Sequence, residues 1–501
     1  MHLSTRLDCD LVAVETADEL TLLVELTAPT PATTEVRQPA TLQVVLDRSG
    51  SMAGDRLKGA KTALLSLVDR LDPSDNFGLV AFDGHVEVVV PAGALKDKER
   101  VKAAIAAVDA RGNTDLSAGY LRGLQEARRV AGPAGATVLI VSDGHANAGV
   151  TDPDQLGKVA VEAQSHRVTT STLGFGLGYD ETLLSALARG GAGNELFAEE
   201  ADTAVALISG EVDGLLTQVA QAASLRVTWT RHVAGIQVLN DLPVVGLDDG
   251  AMLELGSFYS GETRKLLVKL QIPAIAALGL TQVATLEFTH VSLPDLVQHV
   301  TTVPVHVNVV PGDQAAGRIP DPQVRSEALF QQTQQAKRES SKLLSQGRLA
   351  EASRLLQETS GRLRRDASTL PAPMAAELLG EADLFDALDE EARVDSSRAA
   401  KISSYSATLG SRNRGRQTTG GRLALRFADD AGMAPVLLEE WEVQRLRRLL
   451  PRELAEALRS SSRLRDAETA DAIADVLGDE HPLRVFFRAG AGRGGFTVGR
   501  A

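Results

Sequence analysis

Between Thr41 and about Leu216, short β-rich runs alternate with amphipathic helical stretches, and nothing else in this 501-residue chain constrains its fold as strongly. TLQVVL, NFGLVAF, HVEVVVP, ATVLIVSDG, VTTSTLGFG and NELFAE read as strands. The stretches RLKGAKTALLSLVDRL, KDKERVKAAIAAVDA, LSAGYLRGLQEARRVAG, DPDQLGKVAVEAQSHR, DETLLSALARGG and DTAVALISGEVDGLL lie between or after them and read as helices. Apolar residues recur three and four apart in the clearest of these, the spacing of one helix face. ATVLIV is apolar throughout, as a strand covered on both faces must be. The Asp-Gly turn between the second and third strands favours a tight antiparallel hairpin. Strand and helix in turn predict an α/β fold with a doubly wound, mostly parallel sheet over residues 38–216.

The flanks have a different character. Residues 217–312 hold LRVTWTRHV, GIQVLN, MLELGSF, TRKLLVKLQIP, QVATLEFTHV and HVTTVPVHVNVVP, strand candidates broken by Gly, Asp and Pro turns. That pattern predicts an antiparallel β-sandwich. ELTLLVELTAP, within residues 1–37, is another apolar strand that needs a sheet to cover it. It is expected to join the same sandwich, which makes the α/β domain an insertion. Residues 322–408 read as a helical region, in which LLSQGRLAEASRLLQ is the turn of one helical hairpin with no second copy at a fixed period, and TLPAPMAAELLGEADLFDAL restarts a helix after a Pro break. Residues 409–420 are rich in Gly and Arg and read as a flexible linker. Residues 421–501 read as a small C-terminal module, with a helix over VLLEEWEVQRLRRLLPRELAEALRSS and a closing hairpin over PLRVFFRAGAGRGGFTVGR.

The chemistry sits where the first strand ends, in LQVVLDRSGSMAGDRLKGAK. Asp47, Ser49 and Ser51 place three oxygen ligands on one loop just before a helix, in the crevice where doubly wound sheets bind ligands. RGNTDLSAG brings Thr114 and VSDGHANAG brings Asp143 to the same edge. Two carboxylates and three hydroxyls, without imidazole or thiolate, suit a hard cation, Mg2+ or Mn2+. Ser49, Ser51 and Thr114 are expected to coordinate directly, and Asp47 and Asp143 wholly or partly through water. A coordination position remains for a carboxylate from outside. Asp115 reads as a helix cap or a charge facing the site, and His145 as a residue at its rim. The remaining histidines are scattered singly, with no zinc spacing.

DRSGSM, GNTDL and VSDG together resemble the three loops of the von Willebrand factor A domain and its metal-ion-dependent adhesion site, over residues 38–216. The segment LELGSFYSGETRKLLVKLQIP resembles the sandwich that follows this domain in bacterial multidomain members. The resemblance implies an adaptor that captures an Asp or Glu side chain of another protein through the ion. Its alternative is a subunit that works with an AAA-type ring-forming ATPase, as in chelatase- and chaperone-like systems.

Composition narrows the classes further. The formal net charge of −14 opposes a nucleic-acid or anionic-membrane partner. No run of 18 apolar residues occurs, so no membrane span is expected. The single cysteine, Cys9, excludes an intrachain disulfide, and the acidic start is unlike a signal peptide, so a cytoplasmic location is expected. An enzyme is not expected. The position two residues after Asp47, where an aspartyl phosphohydrolase needs a second Asp, is Ser49. There is no phosphate-binding P-loop and no nucleophile elbow. The glycine-spaced LGFGLG at 173–178 follows a late strand and lacks the dinucleotide fingerprint.

Overall fold

The structure, a computed structural model, describes residues 1–30, 38–198 and 201–412, with the strand backbones Arg422–Phe427, Val436–Glu439, Arg463–Leu464 and Phe496–Arg500. Strands β1 (His2–Leu7), β2 (Leu11–Ala13) and β3 (Asp18–Thr27) come first. Then follow β4 (Thr41–Asp47), α1 (Asp55–Arg70), β5 (Asn76–Phe82), β6 (Val86–Ala94), α2 (Lys98–Ala106) and α3 (Leu116–Val130). β7 (Ala136–Ser142), α4 (Pro153–Ser165), β8 (Val168–Phe175), α5 (Glu181–Gly190), β9 (Ala192–Ala198) and α6 (Ala201–Leu216) complete the alternation.

These strands form a six-stranded sheet in the order β6-β5-β4-β7-β8-β9. Every pairing is parallel except the β5–β6 hairpin. β4 and β7 are buried along their whole length, the condition of central parallel strands. Leu116, Tyr120 and Leu124 of α3, Leu156 and Ala160 of α4 and Leu183 and Leu187 of α5 close a core with Val45, Val138 and Ile140 of the sheet. The strand order reverses between β4 and β7, and this switch point opens a crevice at the carboxyl ends of the two strands.

The sandwich is built from β1, β2 and β3 together with β10 (Gln218–Trp229), β11 (Gly235–Val238), β12 (Val244–Leu247), β13 (Gly250–Tyr259), β14 (Thr263–Ile272), β15 (Gly279–Ser292) and β16 (Gln298–Val310). One sheet runs β1-β3-β14-β11 and the other β12-β13-β10-β15-β16-β2. β3 pairs antiparallel with β14 along its length, from Asp18 opposite Ile272 to Thr27 opposite Thr263. Leu20, Leu22, Val24 and Leu26 of β3 enter the inter-sheet core with Leu225, Leu253, Phe258, Leu286 and Phe288. Period-two geometry turns Leu23 to the opposite face, where it meets Leu239, Leu267 and Val324. Val324 belongs to a helix, so this strand is apolar on both faces because both are covered.

The remaining helices are the short α7 (Gly312–Ala316), α8 (Pro322–Ser345), α9 (Leu349–Ala367), α10 (Ala372–Val394) and α11 (Ser396–Arg412). Asp321 caps α8 by accepting from the Gln323 and Val324 amides. The sequence predicts one helical hairpin and a helix restarting after the Pro break; that helix is α10, and it pairs with α11 into a second hairpin: α8 packs on α9 and α10 on α11, and the pairs meet through α8–α11 and α9–α10. The α8–α11 seam carries polar side chains, with Ser340 bonded to Ser403 at 2.7 Å. Such pairs give no apolar stripe to read.

Two compact units are distinguished: Met1–Ala204 with Leu215–Gln417, and Val205–Gly214 with Thr418–Ala501. In the second, β17 (Arg422–Phe427), β18 (Val436–Glu439), β19 (Arg463–Leu464) and β20 (Phe496–Arg500) form an antiparallel sheet ordered β18-β17-β20-β19. Two expectations change. Residues 409–412 continue α11 rather than opening a linker, and 413–420 lie outside the described residues. Val436–Glu439 is a strand where a helix was predicted, because pairing with β17 overrides local helix preference; the rest of that stretch and most of the closing hairpin lie outside the described residues. Among the described residues no helix is long and apolar enough to cross a membrane.

Candidate metal centre

β4 delivers Asp47 to the crevice at zero exposure. The strand ends there because the Asp47 side chain turns back on its own chain, Oδ1 accepting from the Ser49 amide at 2.8 Å. Its other oxygen accepts from the Ser142 hydroxyl at 2.6 Å. The Ser49 and Ser51 hydroxyls are 3.1 Å apart. Ser51 then donates to Asp143 Oδ1 at 2.8 Å, so the first loop is joined to the third by side chains alone. A methyl group placed on Gly144 would stand 3.4 Å from Ser51 Oγ and 3.8 Å from Thr114 Oγ1, which puts the Thr114 hydroxyl beside the same cluster. The five residues singled out from the sequence, Asp47, Ser49, Ser51, Thr114 and Asp143, are therefore gathered at one edge of the sheet.

The second loop is held by the third. The Thr114 amide donates to Asn147 Oδ1 at 3.0 Å, and the Thr114 carbonyl accepts from the amides of Asn147 and Ala148. Asp115 is the α3 cap, accepting from the Ala118 amide at 3.0 Å and the Ser117 hydroxyl at 2.7 Å. Of the two readings of Asp115 the geometry selects the cap. Gly149 (φ +71°) packs so closely on Asp115 that an added Cβ would stand 2.2 Å from Oδ1, a position open only to glycine. His145 is at the rim with its side chain 69% exposed, and its Nδ1 lies 3.4 Å from Asp180 Oδ2.

Three further residues contribute without a local sequence signature. Ser142 precedes Asp143 in VSDG, and its hydroxyl was legible only as part of a strand. Asn147, in HANAG, pins the Thr114 backbone. Arg56, in the first turn of α1, reaches Asp143 Oδ2 at 2.5 Å and the Ser51 carbonyl at 3.3 Å. The first-loop stretch contains Arg56, but nothing in its local pattern points to a loop that is 87 residues away.

Electrostatically the cluster is unfinished. Burial holds the Asp47 carboxyl above its usual range, against the hydrogen bonds from Ser142 and Ser49, and the nearby Asp143 charge pushes the same way. A cation would relieve that cost. Among the described residues no three His, Cys, Asp or Glu side chains converge as a ligand group. A cation here must rely on two carboxylates with hydroxyls and water, a donor set that fits a hard divalent ion better than a thiophilic or imidazole-seeking one. Arg56 works against a cation by partly neutralising Asp143.

A match to the von Willebrand factor type A domain spans residues 42–210. An uncharacterised protein of Synechocystis is 31% identical over 169 residues, 34% of this chain and 40% of its own length. Protein YfbK of Escherichia coli is 30% identical over 183 residues, 36% of this chain and 32% of its own. Human inter-alpha-trypsin inhibitor heavy chain H4 is 28% identical over 181 residues, 34% of this chain and 19% of its own. The chain thus spans less than half the length of these relatives. Among solved structures, a von Willebrand factor type A protein from Catenulispora acidiphila overlays with a TM-score of 0.64 at 15% identity, covering 82% of this chain and 96% of that one. The ArnB paralog VWA2 from Sulfolobus acidocaldarius gives 0.56 at 16%, covering 82% and 98%. Both overlays extend well beyond the matched domain, so the likeness in fold includes elements outside it. Strand order, loop positions and the sequence match agree that residues 42–210 are a von Willebrand factor type A domain.

Proposed function

We propose that this protein is a divalent-metal-dependent interaction protein, in which Asp47, Ser49, Ser51, Thr114 and Asp143 hold Mg2+ or Mn2+ and an Asp or Glu side chain of a partner completes the site. Von Willebrand factor type A domains mediate protein–protein contacts, and the finer reading rests on the cluster itself. The observation that carries it is the hydroxyl–carboxylate chain Ser49–Ser51–Asp143 lying beside a buried Asp47 whose charge is held at a cost. A bound divalent ion would supply an electrophilic position that a partner carboxylate can occupy. Asp47 orients the Ser49 backbone and Ser142, and Asp143 fixes the Ser51 hydroxyl, so the donors are set before any ion arrives. Asn147 holds the Thr114 loop in register with them.

Titration calorimetry of Mg2+ and Mn2+ into the full chain tests the reading. Heat that saturates near one ion per chain, and that is absent in both Asp47→Ala and Asp143→Ala, is the expected result. Equal heats in wild type and both variants would remove the site from consideration.

A further inference from the structure

We infer that Lys401, on α11, is a positioning residue for the Asp143 loop, so that the helical layer helps set the geometry of the ion site; the consequence for ions rests on the reading above, whereas the coupling itself does not. The Lys401 side chain is almost wholly buried (3% exposed) and crosses from α11 to the turn between β8 and α5. Its ammonium donates to the Tyr179 carbonyl at 2.9 Å and to Glu181 Oε2 at 2.7 Å, and lies 4.3 Å from the centre of the Tyr179 ring. A buried cation bonded this way fixes the backbone it touches, since a lost donor would strand a carbonyl and a carboxylate in a low-dielectric place.

The turn that Lys401 grips has its other side on the ion site. It takes in Gly176, Leu177 and Gly178, the last half of the glycine-spaced LGFGLG, a run that lacks the dinucleotide fingerprint. A Cβ on Gly178 would stand 3.0 Å from the Asp143 carbonyl oxygen. Gly176 (φ +75°) faces Arg56, with its Cβ position 3.1 Å from Nε, and Arg56 is the residue that bonds the Asp143 carboxylate. Asp180, which caps α5, faces His145 of the same loop. The glycines allow backbone to lie directly on backbone, so the segment 174–180 transmits position with little slack. It is clamped between α11 and the loop that carries Asp143.

α11 has an independent hold on the sheet. Thr408 donates to Glu195 Oε2 of β9 at 2.8 Å, and Ser404 approaches the other oxygen at 3.4 Å. Removing the Lys401 ammonium therefore releases the turn without undocking the helix. Lys337 supplies the matched control: it is equally buried and bonds Ser406 at 2.9 Å and Gln334 at 3.2 Å, with Glu381 at 2.7 Å, all within the helical layer.

Two readouts on the full chain test the inference with Lys401→Met and Lys337→Met. The first is amide hydrogen exchange over Ser142–Val150, measured without added metal. Lys401→Met is expected to speed exchange there, whereas Lys337→Met leaves it at the wild-type rate. The second is Mn2+ titration, in which Lys401→Met is expected to weaken affinity about tenfold, as loss of an outer support does, with no change for Lys337→Met. Wild-type exchange over Ser142–Val150 in folded Lys401→Met would overturn the inference, as would an equal response to Lys337→Met. If exchange responds as expected but wild type binds no Mn2+, the ion-site reading fails and the coupling stands.

Discussion

Two carboxylates on neighbouring loops of the same sheet edge are treated in opposite ways. Asp83 lies between two arginines: Arg48 reaches it at 2.9 Å and Arg111 at 3.2 Å, and both also bond Glu87. Burial works against the Asp83 charge, but the His85 amide and the two guanidiniums outweigh it and hold the carboxyl below its usual range. Asp47, one residue before Arg48, is also buried; burial, with the Asp143 charge nearby, holds its carboxyl above that range despite the hydrogen bonds from Ser142 and Ser49. The difference separates a charge that supports the fold from one that strains it. Strained charges of this kind collect where a ligand is to be held.

The comparison can be broken most directly at Asp83. Asp83→Ala strands the buried Arg48 Nε and leaves the guanidinium only the half-exposed Glu87 as partner, and is expected to lower stability by about 2–3 kcal/mol in urea denaturation. An effect below about 1 kcal/mol would show that the arginine cluster is only surface decoration. Asp47→Asn should act in the opposite direction. Asn can still accept from the Ser49 amide and can donate to Ser142, while the costly charge is gone. A gain of about 0.5–2 kcal/mol in metal-free buffer is expected, of the size found when strained sites are relieved, together with loss of Mg2+ binding. A stability loss would mean that the Asp47 charge is better compensated than its surroundings show.

The pH dependence sharpens the same contrast. The Asp83 contribution is fully present above the ordinary value of 3.8 and is lost as pH falls below it, because the folded-state carboxyl titrates lower than the unfolded one. The Asp47 cost is present at neutral pH and is relieved as pH falls through its raised value, above 3.8. Denaturation of wild type, Asp83→Ala and Asp47→Asn across this range should therefore give difference curves of opposite sign. That for Asp47 should collapse at the higher pH.

Arg56 gives the smallest expected change. It shares Asp143 with the proposed ion, from a half-exposed position. Arg56→Gln is expected to strengthen Mg2+ binding about fivefold in calorimetry, roughly 1 kcal/mol for one screened charge. Weaker binding in Arg56→Gln would instead show that the guanidinium orients Asp143 for the ion.

What the sequence alone determined lies in patterns that repeat over a few residues. The apolar run of β7 follows from burial on both faces, the helical spacing of α3 from burial on one, and the Asp-Gly turn after β5 from local sterics, and together they place three oxygen-rich loops at one sheet edge. The apolar run ELTLLVELTAP of β3 likewise announced a strand in need of a sheet. Only the tertiary structure decided who meets those loops. Arg56 reaches Asp143, Ser142 reaches Asp47, and Lys401 reaches Tyr179 across 222 residues of chain. The place of α11 in a second hairpin was hidden for a related reason, since its contacts with α8 include serine, lysine and glutamine side chains that read as solvent-facing until a partner covers them. Local propensity fixes the elements because their bonds close within a few residues. Long-range polar partners have no such signature, because one buried bond between distant side chains leaves no periodicity behind.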